Sequence, residues 1–225
     1  MTGRALAHPP FHTPPLFHIN SWIFDLDNTL YRADSAFFAQ IVDNITKYIA
    51  RHLGLGLDAA RALQKQYLEQ YGTSLSGLMA VHGTDPAGFL DYVHDVDLSF
   101  LKPDPRLYAG LDALPGRKYI FTNGSQGHAK NVCEHLGIYH LFDGVMAIED
   151  VAYNPKPGRS AYEKFVRTFN IVPASALMVE DMAVNLQVPK DMGMTTVLIA
   201  PPGSPCPDYI DKHTNDLSKW LSEIG

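Results

Sequence analysis

Five short, almost unbroken apolar runs (Ser21 to Asp25, Lys118 to Thr122, Gly144 to Ile148, Leu177 to Asp181 and Met194 to Ala200) alternate with stretches of helical period. Runs of that length, apolar at successive positions, are what a parallel strand covered on both faces requires. The intervening helices have clear faces: Ala129, Val132, Cys133 and Leu136 on one, Tyr162, Phe165, Val166 and Phe169 on another. The alternation predicts an α/β fold with a doubly wound parallel sheet, a Rossmann-like core. One interval breaks it. From 34 to 100 the pattern is helical throughout: Phe37, Ile41, Ile45 and Ile49 keep period up to Gly54, Ala60, Leu63, Tyr67 and Tyr71 run to Gly72, and Asp85 precedes Pro86 as an N-cap. This predicts a helical insertion over 34–100, hinged at 30–34 and 96–104, on a core made of 21–33 and 101–225. Residues 1–20, rich in Pro and His, form a lead-in with no assigned function. Near the C-terminus Thr214 is the expected cap of a helix that docks through Trp220 and Leu221.

The formal net charge of −6 and the lack of any Lys/Arg stripe argue against binding a nucleic-acid polymer. Nothing reads as a signal peptide or membrane span. The two cysteines, Cys133 and Cys206, form no CxxC pair, which fits a reduced, cytoplasmic setting. Cys133 lies on an apolar helix face and reads as a buried hydrophobe.

Ligands of open α/β sheets bind beyond the carboxyl ends of the strands, and the concentrated polar residues fall there. The first strand delivers Asp25, Asp27 and Thr29. The second ends in Thr122, Asn123, Gly124 and Ser125, and the third is followed by Lys156 between two prolines. The fourth ends in Glu180 and Asp181, with Asn185 beyond. Strand alternation turns Asp25 and Asp27 to the same side, and like charges that close imply a metal, an acid/base role, or both. The set suits phosphoryl transfer, which needs an in-line nucleophile, a divalent cation, fixed donors for the equatorial oxygens and an acid for the leaving group. A hard cation such as Mg²⁺ could take oxygens from Asp25 and Asp181. Thr122, Lys156 and the backbone N–H groups of Asn123 and Gly124 are the phosphate donors. The nucleophile and acid roles fall to the two aspartates.

Four segments in order, FDLDNT, FTNGS, the Lys156 of NPKP and EDMAVN, resemble the four motifs of the haloacid dehalogenase superfamily phosphatases. The resemblance implies that Asp25 attacks phosphorus to form an aspartyl phosphate, while Asp27 protonates the leaving alcohol and then activates water. It implies Mg²⁺ bound by the Asp25 side chain, the Asp27 carbonyl and Asp181, with Thr29, Glu180 and Asn185 behind these groups. The helical insertion resembles the family's cap domain. FDLDNTLY, the run from Tyr67 to Gly72 continuing to Ser76–Leu78, and Leu101–Pro105 are similar to the pyrimidine 5′-nucleotidase branch, implying a nucleoside monophosphate as substrate. Cap residues expected to meet a base include Tyr71 and His82, among aromatics and histidines that also include Tyr31, Phe38, Tyr92 and His94. The alternatives are another small phosphorylated metabolite, such as phosphoglycolate or a sugar phosphate, or a phosphate-sensing module without rapid turnover. The sensor reading leaves the large insertion unexplained.

Overall fold

A computed structural model describes residues 16–31 and 36–224. The prolines and histidines of the lead-in up to residue 15, and most of the first hinge, lie outside the described residues. Six parallel strands form one sheet: β1 (Ser21–Phe24), β2 (Arg117–Phe121), β3 (Gly144–Met146), β4 (Ala176–Glu180), β5 (Thr195–Ile199) and β6 (Lys212–Thr214). Their order is β3-β2-β1-β4-β5-β6. The chain therefore winds outward from β1 in both directions, and the switch point lies at the carboxyl end of β1, between β2 and β4.

Both faces of β1 are covered, as its unbroken apolar run requires. Trp22 and Phe24 join one buried cluster with Leu107, Leu111, Val132 and Leu221, while Ile23 faces another with Tyr162, Phe165 and Met178. The helices that cover these faces are α5 (Pro105–Ala113), α6 (Gln126–His135), α7 (Arg159–Phe169), α8 (Gln187–Asp191) and α9 (Leu217–Ile224). Helix α9 packs so closely on α5 that a Cβ at Gly110 would lie 2.6 Å from Leu221 Cβ. Trp220 and Leu221 are buried in that contact. The cap of α9 is Asp216, whose Oδ1 accepts the Lys219 N–H at 3.0 Å, and not Thr214, whose hydroxyl instead fixes the Asp216 backbone. Pro189 is in the first turn of α8, where it removes no intrahelical donor.

Between β1 and α5 the described chain holds no strand. Helices α1 (Ala36–Leu53), α2 (Leu57–Tyr71), α3 (Ser74–His82) and α4 (Pro86–Val93) form the inserted cap. Gly72 ends α2 in the left-handed region (φ 80°), and the Asp85 carboxylate accepts the Gly88 N–H to start α4. The insertion has no separate core of its own. Phe37 and Ile41 join the β1 cluster on one face, and Ile49, Tyr67, Leu78 and Phe89 join the cluster on the other. Among the described residues no helix is long and apolar enough to cross a membrane.

Candidate active site

The motif residues meet at the switch point. The Asp25 N–H still donates to Val179 O, so Asp25 occupies the first position beyond β1. The chain then turns through Asn28, which holds φ of 63°. Thr122 lies just past β2 with its Oγ1 accepting the Gly124 N–H at 2.9 Å. Ser125 caps α6 by accepting the His128 N–H. Gly124 is closely surrounded: a Cβ there would lie 3.2 Å from both the His128 ring and Thr122 Oγ1, and 3.4 Å from Asp27 Oδ2.

Lys156 is the centre of one half of the site. It is 1 % exposed, and its ammonium donates at 2.7 Å to Asp25 Oδ1, Glu180 Oε2 and Phe121 O, which uses all three of its protons. Asn123 holds the lysine's backbone from both sides, accepting the Lys156 N–H at 2.9 Å and donating to its carbonyl at 3.0 Å. The Asn123 side chain is thus oriented by the lysine loop. Burial alone would depress the Lys156 ammonium, but the Asp25 and Glu180 carboxylates outweigh it and hold the group above its ordinary range.

Asp25, Glu180 and Asp181 present carboxylate oxygens within 4.8 Å of one another. Burial, with Glu180 adding repulsion, lifts Asp25 to about 7 against the pull of Lys156. Burial lifts Glu180 to about 7 as well, and burial with repulsion from Asp25 lifts Asp181 to about 6. Three carboxylates face one ammonium, so the cluster lacks positive charge. Among the described residues Asn28 Oδ1 is buried without a partner, while its Nδ2 donates to Asp181 Oδ2 at 3.3 Å. Both Glu180 oxygens are occupied, by Lys156 and the Met182 N–H. Among the described residues Asp25 Oδ2 receives only a 3.4 Å contact from Thr29 Oγ1. The donor set, all hard oxygens with excess negative charge, fits a divalent cation such as Mg²⁺ held by Asp25 and Asp181, with Glu180 supplying charge through Lys156. Asn185 is buried nearby, its carbonyl accepting Tyr162 Oη at 2.7 Å.

Asp27 lies in a different setting. Its Oδ1 accepts Tyr31 Oη at 2.6 Å and His128 Nε2 at 2.7 Å. Burial alone would raise Asp27, but His128 and the Tyr31 hydroxyl overcome it and hold the carboxyl down at about 2. His128 was not among the residues expected from sequence. The available signal was its place three residues after Ser125, in the first turn of the helix that follows the second strand.

The two cap residues singled out from sequence, Tyr71 and His82, are not brought to these carboxylates. Tyr71 is exposed and meets Tyr67 edge-on, and His82 Nε2 pairs with Tyr67 Oη at 2.7 Å. A cavity of about 650 Å³ opens beside Asn28, Thr29 and Asp181 and extends to Phe100, Lys102 and Arg106 in the second hinge and α5, and neither residue lines it. The cap residue that does reach the site is His94, whose Nδ1 meets Ser125 Oγ at 2.9 Å and whose ring stacks on His128.

The sequence pattern of the haloacid dehalogenase-like hydrolases matches residues 19–193 of this chain. The chain belongs to that family. Two curated relatives carry the similarity of this haloacid dehalogenase-like hydrolase further. "Phosphate metabolism protein 8" of Saccharomyces cerevisiae is 29% identical over 201 residues, 79% of this chain and 60% of that protein. The chain thus spans about 60% of the yeast relative's length. "Glyceraldehyde 3-phosphate phosphatase" of Methanothermobacter thermautotrophicus is 26% identical over 171 residues, 69% of this chain and 74% of the other. A solved haloacid dehalogenase-type phosphatase from Thermococcus onnurineus superposes with a TM-score of 0.66 at 19% identity, covering 92% of this hydrolase and 98% of that chain. At that identity the likeness establishes the fold.

Proposed function

We propose that this hydrolase cleaves phosphomonoesters through an aspartyl-phosphate intermediate on Asp25. The observation that carries the reading is the unequal treatment of two aspartates two residues apart. Asp25 is locked to Lys156 within an acidic cluster, and Asp27 is held instead by Tyr31 and His128. Family membership alone does not choose the reaction, because dehalogenases of the superfamily carry no second aspartate and protonate no leaving alcohol. An Asp25 oxygen forms the bond to phosphorus as the ester P–O bond breaks. Asp27, ionised in the unliganded site where Tyr31 and His128 hold it at about 2, takes up a proton as the phosphate dianion enters beside it and gives that proton to the departing oxygen. Asp27 then takes a proton from water as that water attacks phosphorus, releasing inorganic phosphate and restoring Asp25. The Thr122 hydroxyl and the Asn123 backbone N–H donate to the phosphoryl oxygens, and Lys156, whose protons are held by Asp25, Glu180 and Phe121 O, contributes its charge. The Gly124 N–H, turned to Thr122 Oγ1 here, joins them only by leaving that bond. When bound by Asp25, the Asp27 carbonyl and Asp181, Mg²⁺ supplies neutralising charge to those oxygens.

The substrate is a small phosphorylated metabolite, and we assign it as a pyrimidine nucleoside 5′-monophosphate. The support is the sequence likeness of FDLDNTLY and the cap segments to that branch. A second reading, a triose or sugar phosphate, is favoured by the name of the archaeal relative. The free thiols of buried Cys133 and exposed Cys206 suit the cytoplasmic setting we assign. A panel of phosphate esters ranked by kcat/KM, with and without a chelator, tests all of this. We expect Mg²⁺-dependent release of phosphate, with uridine and cytidine monophosphates ranked first. Preference for a triose phosphate would move the assignment to the second reading, and full turnover in metal-free buffer would remove the metal from it.

A further inference from the structure

Asp27 is gripped by residues outside the four motifs, and both of them pack against the cap. Tyr31 Oη and His128 Nε2 converge on the same oxygen, Oδ1. Among the described residues no hydrogen-bond donor reaches Oδ2, which faces Gly124 and the Thr122 loop. An aspartate's second torsion is broad when unconstrained, and two short bonds on one oxygen remove that freedom. Oδ2 is thereby left as the oxygen open to a reacting group on the Gly124 side.

The two donors are themselves set by the insertion. The Tyr31 ring meets Phe37 of α1 edge-on, with centroids 5.2 Å apart. The His128 ring lies parallel to Phe37 at 6.0 Å and stacks on His94, just past α4, at 4.2 Å and 12°. Ser125 Oγ accepts the His128 N–H, which leaves its own proton for His94 Nδ1. One serine therefore ties the start of α6 to the end of α4. Burial pushes His94 down to about 3, so its ring is neutral and its Nδ1 is free to accept.

We propose that Tyr31 and His128 are positioning residues that aim the Asp27 carboxyl through Oδ1, and that His94 and Phe37 make this aim depend on the cap being seated against the core. Seating the cap would then do more than exclude water: it would complete the acid/base group. The inference rests on Asp27 being the leaving-group acid, as proposed above.

The experiment compares Tyr31→Phe, His128→Leu, His128→Gln and His94→Ala, each alone and combined with Asp27→Asn, on p-nitrophenyl phosphate and on the best alkyl ester of the panel. Loss of one such bond is expected to lower kcat on the alkyl ester about 5- to 150-fold. KM should be unchanged and the loss on the nitrophenyl ester smaller. His128→Gln, which keeps a nitrogen donor, should recover most of the loss, and His94→Ala should show a weaker form of the same pattern. In the Asp27→Asn background none of the substitutions should lower the rate further, because their target is already gone. Losses equal for the two esters, or persisting in the Asp27→Asn background, would overturn the proposal. If His128→Leu does not fold, Tyr31→Phe decides, since it removes only a hydroxyl. Wild-type turnover by Asp27→Asn itself would instead sink the acid reading and this inference with it. A loss at Asp27 with none at Tyr31 or His128 would sink this inference alone.

Discussion

The Asp25 half of the site and the Asp27 half differ in what they are made of. Asp25 is held by Lys156, from the loop that follows β3, whose ammonium also pairs with Glu180 at the end of β4, both buried ion pairs at 2.7 Å. Asp27 is held by a phenol and an imidazole that lean on the cap. The outcome is two carboxyls pushed in opposite directions, Asp25 up to about 7 and Asp27 down to about 2. That order is the reverse of what a nucleophile and a leaving-group acid need, so the proposed roles require a bound cation to ionise Asp25 and the phosphate dianion to protonate Asp27. The rigid half belongs to a sheet whose register is fixed by backbone bonds. The other half joins core residues to residues of the insertion.

The most severe way to break the first half is Asp25→Asn. The amide is nearly isosteric, so the fold should persist, but it cannot form the acyl phosphate, and turnover should vanish. Cooperative unfolding and steady-state rates check both statements. Retained near-wild-type turnover, with deamidation excluded, would show that the nucleophile lies elsewhere.

Asp27→Asn should be milder. A positioned acid/base contributes roughly 10²- to 10⁴-fold, and that loss should shrink for esters whose leaving group needs no proton. Equal losses on nitrophenyl and alkyl esters, where phosphorylation limits both, would contradict the assignment.

Lys156→Met attacks stability in the first half. It leaves Asp25 and Glu180 buried face to face without their common partner, and breaking a buried pair from one side costs about 3 to 5 kcal/mol. Denaturant titration of the metal-free protein reads it directly. A change under about 1 kcal/mol would mean that the two carboxyls simply take up protons, an outcome expected to become more marked at low pH.

The two halves should also respond to pH with opposite signs. Asp25 binds its proton more tightly folded than unfolded, so its contribution to metal-free stability is present below its ordinary 3.8 and is lost as pH rises toward about 7. Asp27 is the reverse: its contribution is present above 3.8 and is lost as pH falls toward about 2. Urea midpoints measured from pH 3 to 8 should therefore decline between about 4 and 7 without cation. Added Mg²⁺, which favours the ionised cluster, should flatten that decline. A metal-free profile that rises through this window would contradict the surplus of negative charge around Asp25.

Much of this was legible in the sequence, and the reason differs by region. The five apolar runs announced five strands because burial on both faces leaves no polar position in them. Strand β6, Lys212–Thr214, carried no such pattern, since it is a short edge strand with no buried residue. The motif residues were legible as a set because strand order forces their ends together. Asp216 displaced Thr214 as a cap because both are suitable residue types, and the choice depends on where α9 meets α5. His128 was not found because a lone histidine in a first helical turn has no distinguishing spacing; its partner is 101 positions away. The cap aromatics were visible as aromatics, but helix rotation decides which of them face the core. Tyr67 is buried and Tyr71 is exposed although they share a stripe.

The smallest expected effect concerns that stripe. His82→Ala deprives the buried Tyr67 hydroxyl of its partner, so it should cost on the order of 1 kcal/mol of stability, and Tyr71→Ala should stay within about 0.5 kcal/mol, as exposed substitutions do. Neither residue lines the cavity beside Asp181, which is walled instead by Phe100, Lys102 and Arg106. The ratio of kcat/KM between uridine monophosphate and nitrophenyl phosphate should therefore move by no more than about 2-fold in either variant, the scale set by 0.5 kcal/mol. A shift of about 5-fold or more, the lower end of a lost ligand contact, would place the nucleoside against the α2–α3 corner. Substrate recognition would then join the Asp27 half in depending on the cap, and the division between a rigid catalytic half and a cap-dependent one would extend to the choice of substrate.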